Sequence, residues 1–321
     1  MTSFGEHLFG DAELARLFGV VGVFLLLSSI AGFVLKRVSK SDKARATVAN
    51  LNDRINAWWV MTFLLAGALY FGFRGVVIFF GLLSFLALRE FLTLMPTTKG
   101  DHRSLLWSFF LITPFQYYLV WARWYGLFTI LIPVYAFLFL PARTAWAGMT
   151  KQFLERTAKI QWGLMIATYC LSHVPAIYML DIPGYEGRQG SLLFFFLFVT
   201  EVSDVLQYVW GKLFGKHHIA PDVSPNKTVE GFVGGIISAS LLGMALHGVT
   251  PFTVWQAGAI SLMLTLLGFM GGLVMSAIKR DRGVKDYGTI IQGHGGVMDR
   301  LDSVCFAAPV FFHVTRYFWT P

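Results

Sequence analysis

A short stretch near the end of the sequence combines the residue types that bind a polyphosphate. Residues 276–302 read SAIKRDRGVKDYGTIIQGHGGVMDRLD, in which basic and acidic side chains surround a Gly-His-Gly-Gly run. Lysine and arginine neutralise phosphate oxygens, and carboxylates hold Mg²⁺, which commonly shares its coordination with substrate phosphates. Consecutive glycines let backbone N–H groups approach an anion. An ordinary basic loop explains neither the acids nor the glycines, so the stretch predicts a polyphosphate or metal site.

A second stretch places carboxylates in an otherwise apolar segment. Glu201, Asp204, Gln207 and Tyr208 recur at helical spacing, so a helix would present them on one face. Ionisable groups in membrane-spanning segments usually face a cavity or a site, although neighbouring helices could also satisfy such a pair without any function. The loop 211–231 follows, and its prolines and glycines predict ordered turns. This loop lacks the glycine spacing of a phosphate-binding P-loop.

The two stretches together resemble the motifs of the phosphatidate cytidylyltransferases, also called CDP-diacylglycerol synthases. The first matches S-x-x-K-R-x-x-x-x-K-D-x-G followed by GHGG-x-x-D-R-x-D, at Ser276, Lys279, Arg280, Lys285, Asp286, Gly288, His294, Gly295, Gly296, Asp299, Arg300 and Asp302. The second matches D-x-x-x-Y-x-x-G and S-P-x-K-T-x-E-G, at Asp204, Tyr208, Gly211, Gly215, Ser224, Pro225, Lys227, Thr228, Glu230 and Gly231. Two separate motifs in the right order make the resemblance specific for the C-terminal part of the chain.

The resemblance implies transfer of CMP from CTP to phosphatidic acid, which yields CDP-diacylglycerol and pyrophosphate with Mg²⁺ as cofactor. It implies CTP, phosphatidic acid and membrane lipids as partners, and it allows a homodimer. The catalytic and phosphate-binding roles fall on Ser224, Lys227, Ser276, Lys279, Arg280, Lys285 and His294. Nucleotide contacts fall on Gly293, Gly295, Gly296 and Arg300. The leading metal ligand is Asp299, supported by Asp286, Asp302 and Asp204.

One departure from the family pattern bears on the metal. Members read G-D-x-x-x-S-x-x-K-R, whereas this chain has Gly272 four residues before Ser276, so one expected metal-binding aspartate is missing. Glu201 is an unexpected acid, and Gln207 stands where alanine is usual. We expect either that Glu201 or Asp204 substitutes for the missing acid, or that the activity is altered.

The composition indicates that membrane-spanning helices position these residues. The chain is 55% hydrophobic and 14% charged, with a mean hydropathy of +0.60, whereas a soluble domain carries about 25% charged residues. A span needs about 20 apolar residues. The sequence therefore predicts an all-α polytopic integral membrane protein with about ten transmembrane helices, divided into an N-terminal region 1–159 and a C-terminal catalytic region 160–321. The predicted spans are 17–35, 57–73, 75–95, 105–121, 125–140, 160–180, 191–210, 232–249, 253–278 and 303–319.

The basic residues predict which connections face the cytoplasm. Of the 26 lysines and arginines, 21 fall in every second connection between predicted spans, as the positive-inside rule requires. We therefore expect both termini outside, the catalytic loops 211–231 and 279–302 in the cytoplasm, and location in the cell inner membrane. The first span lacks a preceding basic segment and is expected to be a retained anchor. Nucleic acid is not an expected partner, because the basic residues form no stripe on a soluble fold.

Other interpretations stay open. A pseudoenzyme, or a family member acting on another lipid phosphate, would keep most of these residues. A CTP-dependent polyprenol kinase would release CDP instead of pyrophosphate. A transporter would show inverted repeats, and the sequence has no such symmetry. Arg89 and Glu90, at a predicted membrane border, are interpreted as a functional pair or a structural ion pair without a catalytic role.

Overall fold

The computed structural model describes residues 12–38, 41–290 and 295–321. Within them the chain is almost entirely helical. The helices are α1 (Ala12–Val38), α2 (Asp42–Tyr70), α3 (Gly72–Thr93), α4 (102–121), α5 (Tyr125–Ala145), α6 (153–179), α7 (Gln189–Phe214), α8 (Val229–Ala245), α9 (Val254–Asp281) and α10 (Met298–Trp319). Short 3-10 turns occur at Lys99–Asp101, at Ile177–Met179 (the end of α6) and at His247–Val249.

Every predicted span coincides with one of these helices. In the described part of the chain, five helices are long and apolar enough to cross a membrane: α1 from Glu13, α3, α5, α7 and α9. The helix α8 is apolar but has only 17 residues. A helical membrane protein is therefore confirmed, whereas ten crossings and their sidedness stay predictions.

A short β-hairpin lies between α7 and α8, and the described chain otherwise agrees with the predicted all-α class. Its strands, β1 (His218–Ala220) and β2 (Ser224–Thr228), pair antiparallel within the loop that was expected to hold only turns. The carboxylate of Glu230 anchors the base of the hairpin, because it accepts hydrogen bonds from the backbone N–H groups of Lys216 at 2.9 Å and His217 at 3.2 Å. The end of β2 therefore lies directly before the start of α8.

Three helices contain π-helical turns next to prolines. These turns are Ser108–Ile112 before Pro114 in α4, Leu131–Ala136 around Pro133 in α5, and Met165–Cys170 before Pro175 in α6. Proline has no N–H and removes one bond of the helical ladder, and a wider turn accommodates this loss. In α6, for example, the π turn ends at Cys170, five residues before Pro175.

A stripe of small residues brings α8 against α7 and α9. Gly231, Gly235, Ala239 and Gly243 are buried and spaced four apart along α8. A Cβ on Gly235 would overlap the side chain of Gln207 on α7. Small residues let helix backbones approach closely in a membrane, where helices associate by packing rather than by hydrophobic burial. This contact fixes the acid-bearing face of α7 beside the hairpin.

The length of α7 allows a test of the predicted sidedness. This helix has 26 residues, which span about 39 Å, so Glu186 before it and His218 after it lie at opposite ends. Both residues are exposed. We expect an impermeant maleimide to label His218→Cys only from the cytoplasmic face and Glu186→Cys only from the other face. Labelling of both variants from one face would contradict the span assignment. The parent chain, whose Cys170 is half-buried and whose Cys305 is buried, gives the background.

Candidate active site

A cavity of about 300 Å³ lies between α7, the end of β2, α9 and the start of α10. The motif residues that line it are Asp204, Tyr208, Lys227, Thr228, Gly231, Ser276, Asp299, Arg300 and Asp302. Glu201, Gln207 and Gly272 line the same space, as do Arg54 and Trp58 of α2. The sequence did not predict the α2 residues, because nothing in their spacing marks them as part of either motif. The cavity therefore joins both motifs with one element of the N-terminal region.

Acidic and basic groups face each other across this cavity. Glu201, Asp204 and Asp302 supply carboxylates, and Lys227 and Arg300 supply the opposing cations. Such a lining suits a ligand that carries phosphates and a divalent cation together, because each set of charges then has a counterpart.

Hydrogen bonds from α10 orient two of these acids. The Ser303 hydroxyl donates to Asp204 Oδ2 on α7, and the Ser303 N–H donates to Asp302 Oδ1 at 2.8 Å. One residue of α10 therefore links the acids of two helices. In α9, the Ser276 hydroxyl donates to the Gly272 carbonyl at 2.6 Å.

Asp299 organises the connection between α9 and α10, which is called the signature loop below. Its Oδ1 accepts from Lys279 Nζ at 2.7 Å, in a pair that is buried on both sides. Its Oδ2 accepts from the N–H groups of Tyr287 at 2.7 Å and Gly296 at 2.9 Å. Both oxygens are thus engaged by the protein itself. This geometry gives Asp299 a structural role, and its role as leading metal ligand stays a prediction.

Glu90 of α3 is a buried residue whose role the sequence did not reveal. Its carboxylate accepts from the N–H groups of Val297 at 3.0 Å and Met298 at 2.9 Å, at the start of α10. These N–H groups have no partner within the helix, and an acid at this end also meets the positive end of the helix dipole. Side chains on Gly288 or Gly296 would collide with Glu90, so the glycines of the signature allow this close approach.

The pairing of Glu90 with Arg89 is not what the structure shows. Arg89 is exposed, and no ion pair joins these two residues in the described part of the chain. An acid in an apolar segment was the available signal, but its partners lie 207 residues further along the chain.

Tyr287 connects the signature loop to α9 and α3. Burial, and next the charge of Asp299, raise the pKa of its phenol, which therefore stays protonated and donates to the Met275 carbonyl at 3.1 Å. Its ring stacks on Phe91 with centroids 6.1 Å apart. The loop is thus held by α3 and α9 together.

Several predicted site residues lie outside the cavity lining. Arg280 is exposed and donates to the Val284 carbonyl at 2.8 Å. Lys285 and Asp286 are exposed, Ser224 is half-buried in β2, and Lys279 lies behind Asp299. Gly295 adopts a left-handed φ of 84° beside Asp286, and the Gly296 N–H is bound by Asp299. The predictions for Gly293 and His294 concern positions outside the described residues.

The ammonium group of Lys227 lies beside the position that a side chain at residue 272 would occupy. A Cβ on Gly272 would be 3.1 Å from Lys227 Nζ and 3.9 Å from Asp302 Oδ2. Lys227 Nζ also lies 4.5 Å from the centre of the Phe269 ring, in cation–π range. The missing family aspartate would therefore have been in the same cavity as Glu201.

The donor set fits a Mg²⁺ ion that arrives with a phosphate. The described residues contain no group of three or more His, Cys, Asp or Glu placed to hold a metal ion. Mg²⁺ often uses only one or two carboxylates and completes its octahedron with water and substrate phosphates. Asp204 and Asp302 meet that requirement, and Asp299 lines the same cavity.

Comparison with known proteins settles the family. Residues 52–318 match the cytidylyltransferase family over most of the chain. The chain belongs to this family. Membership supports a nucleotidyltransferase, and it extends the resemblance beyond the two motifs into the N-terminal region that contributes Arg54 and Glu90.

Individual relatives agree with this assignment. The chain is 36% identical to "Uncharacterized protein YnbB" of Escherichia coli K12 over 96% of its own length and 98% of that protein. It is 39% identical to the phosphatidate cytidylyltransferase of Staphylococcus saprophyticus over 158 residues, which are 48% of this chain and 60% of that relative. The enzyme of Staphylococcus aureus strain COL matches to the same extent.

The role of Glu90 leads to a stability prediction. Glu90→Gln removes the charge, and its amide nitrogen cannot accept the second N–H, so one buried donor loses its partner. We expect the free energy of unfolding to fall by about 2–4 kcal/mol. The unfolding midpoint in detergent should fall by about 5 °C. Arg89→Gln, next to it but exposed, is the control and should change the midpoint by about 1 °C or less. Equal shifts in the two variants would contradict this role.

Proposed function

We propose that this cytidylyltransferase-family protein transfers CMP from CTP to phosphatidic acid, forming CDP-diacylglycerol and pyrophosphate. The observation that carries the proposal is the cavity in which Lys227 and Arg300 oppose Asp204 and Asp302. The names of the staphylococcal relatives support the choice of phosphatidic acid as the acceptor.

The reaction would proceed by in-line displacement. An oxygen of the lipid phosphate attacks the α-phosphorus of CTP; the new phosphorus–oxygen bond forms as the bond to the β-phosphate breaks, and pyrophosphate leaves. Phosphoryl-type transfers need positioning and neutralisation of charge more than covalent help from the protein. Lys227 and Arg300 would supply that neutralisation, and Ser276 would orient a phosphate oxygen if its hydroxyl turned from the Gly272 carbonyl to the ligand.

The remaining partners follow from this assignment. Mg²⁺, held by Asp204 and Asp302 together with phosphate oxygens, would offset the charge of the triphosphate. The lipid phosphate would come from the membrane surface, where Arg54 and Trp58 of α2 border the cavity. An active site on the cytoplasmic side of the inner membrane would give access to CTP.

The proposal predicts a strong effect of Lys227→Met. Loss of one charge that stabilises the transition state costs about 3–4 kcal/mol, which is a rate loss of several hundred-fold. The measurement is the rate at which purified protein converts labelled CTP and phosphatidic acid to a labelled lipid in the presence of Mg²⁺. Lys212→Met, an exposed lysine near the end of α7, is the control and should stay within about twofold of wild type.

The product that leaves distinguishes the alternatives in the same assay. Pyrophosphate release with a CMP-bearing lipid supports the proposal, whereas CDP release with a phosphorylated lipid would identify a CTP-dependent kinase. Absence of turnover with both phosphatidic acid and a prenol acceptor would reject the proposal.

A second prediction concerns the acid missing at residue 272. If Glu201 takes over the electrostatic role of that aspartate, Glu201→Gln should raise the Mg²⁺ concentration for half-maximal activity about tenfold, equivalent to ~1.4 kcal/mol. Adding Gly272→Asp to Glu201→Gln should recover most of this loss, because the new carboxylate enters the same cavity. Binding of Mn²⁺ followed by electron paramagnetic resonance should change in parallel. If the wild-type protein is inactive and the single variant Gly272→Asp is active, the site of the wild-type protein is defective.

A further inference from the structure

Gln207 lines the cavity and has a buried amide group that is not fully hydrogen-bonded by the described residues. The side chain is 9% exposed, on the face of α7 that also carries Glu201 and Asp204. Among the described residues, its amide nitrogen Nε2 has no hydrogen-bond partner. A buried, unpaired amide costs free energy in the protein without ligand, so a purely structural role does not account for it.

The surrounding backbone is built to admit this side chain. Gly235 of α8 lies against Gln207, and a Cβ there would overlap the Gln207 side chain. A Cβ on Gly231 would lie 2.7 Å from the Gln207 carbonyl oxygen. The close approach of α7 and α8 therefore fixes Gln207, a residue of the cavity lining, against α8.

A second unpartnered donor lines the same space. The Nε of Arg300 is buried, and within the described part of the chain it has no acceptor. Arg300 and Gln207 come from different helices, α10 and α7, and both line the cavity together with Lys227. Two donors without acceptors, next to an ammonium group, call for a ligand that is rich in anionic oxygens.

We propose that Gln207 is a ligand-binding residue that donates a hydrogen bond from Nε2 to a phosphate oxygen held by Lys227 and Arg300. This inference rests on the proposed function for the choice of CTP or phosphatidic acid, which are the two sources of such a phosphate. The interaction itself requires only the phosphate.

The test measures binding without turnover. Wild type, Gln207→Met and Gln207→Ala are titrated with inorganic pyrophosphate, CTP, and phosphatidic acid in detergent micelles, in separate experiments with Mg²⁺ present. Methionine keeps the length that packs against Gly235 but cannot donate. Gln189→Met, at the opposite end of α7 and about 27 Å away along the helix axis, is the matched control.

We expect Gln207→Met to weaken binding of pyrophosphate and of one substrate about tenfold, the loss of one buried hydrogen bond, while Gln189→Met binds like wild type. Weaker CTP binding assigns the contact to the nucleotide, and weaker phosphatidic acid binding assigns it to the lipid. The unfolding midpoint without ligand should be unchanged or rise by about 2–4 °C, because an unpaired buried amide has been removed.

Three results would overturn the inference. The first is binding of all three probes by Gln207→Met within twofold of wild type. The second is a lower unfolding midpoint of Gln207→Met in the absence of ligand, which would mark a structural role. The third is a wild-type protein that binds none of the three probes. Weakened pyrophosphate binding in a protein that transfers no CMP would leave the inference standing and reject the proposed function.

Discussion

The site depends on the buried ion pair between Lys279 and Asp299. Both residues are almost fully buried and joined at 2.7 Å, and the carboxylate also holds two backbone N–H groups of the signature loop. Removing one partner of such a pair leaves an uncompensated charge and typically costs about 3–5 kcal/mol. The pair therefore ties the end of α9 to the start of α10, and this tie sets where Ser276, Arg300 and Asp302 lie relative to one another.

Glu90 extends this arrangement across the chain. Asp299 holds the loop from within the C-terminal region, and Glu90 holds the first N–H groups of α10 from α3. Each carboxylate accepts two backbone hydrogen bonds, so the loop is fixed by charged acceptors on both sides. The N-terminal region is consequently part of the site's framework, which agrees with a family match that begins at residue 52.

The parts of the site that sequence could predict are those encoded by local spacing. The acids of α7 follow helical periodicity, and Lys227, Arg300 and Asp302 belong to motifs with fixed intervals; the structure brings all of these residues to one cavity. Glu90 and Arg54 could not be found in this way, because their contacts depend on how distant helices pack. Asp299 shows a further limit: a motif predicts that an acid is needed at a position, but only the packing around it shows that its oxygens also hold backbone N–H groups.

The same packing explains how the cavity keeps its acids despite Gly272. A family member with aspartate at this position and with Asp204, Asp299 and Asp302 would have four carboxyl groups here. This chain also has four, because Glu201 of α7 lines the cavity together with the last three. The number of carboxyl groups is thus the same, and one acid lies on the neighbouring helix instead of beside the Lys227 ammonium. The space at Gly272 remains open next to Lys227 and Asp302, so a phosphate that approached the lysine there would meet one carboxylate, that of Asp302, and no second one from residue 272.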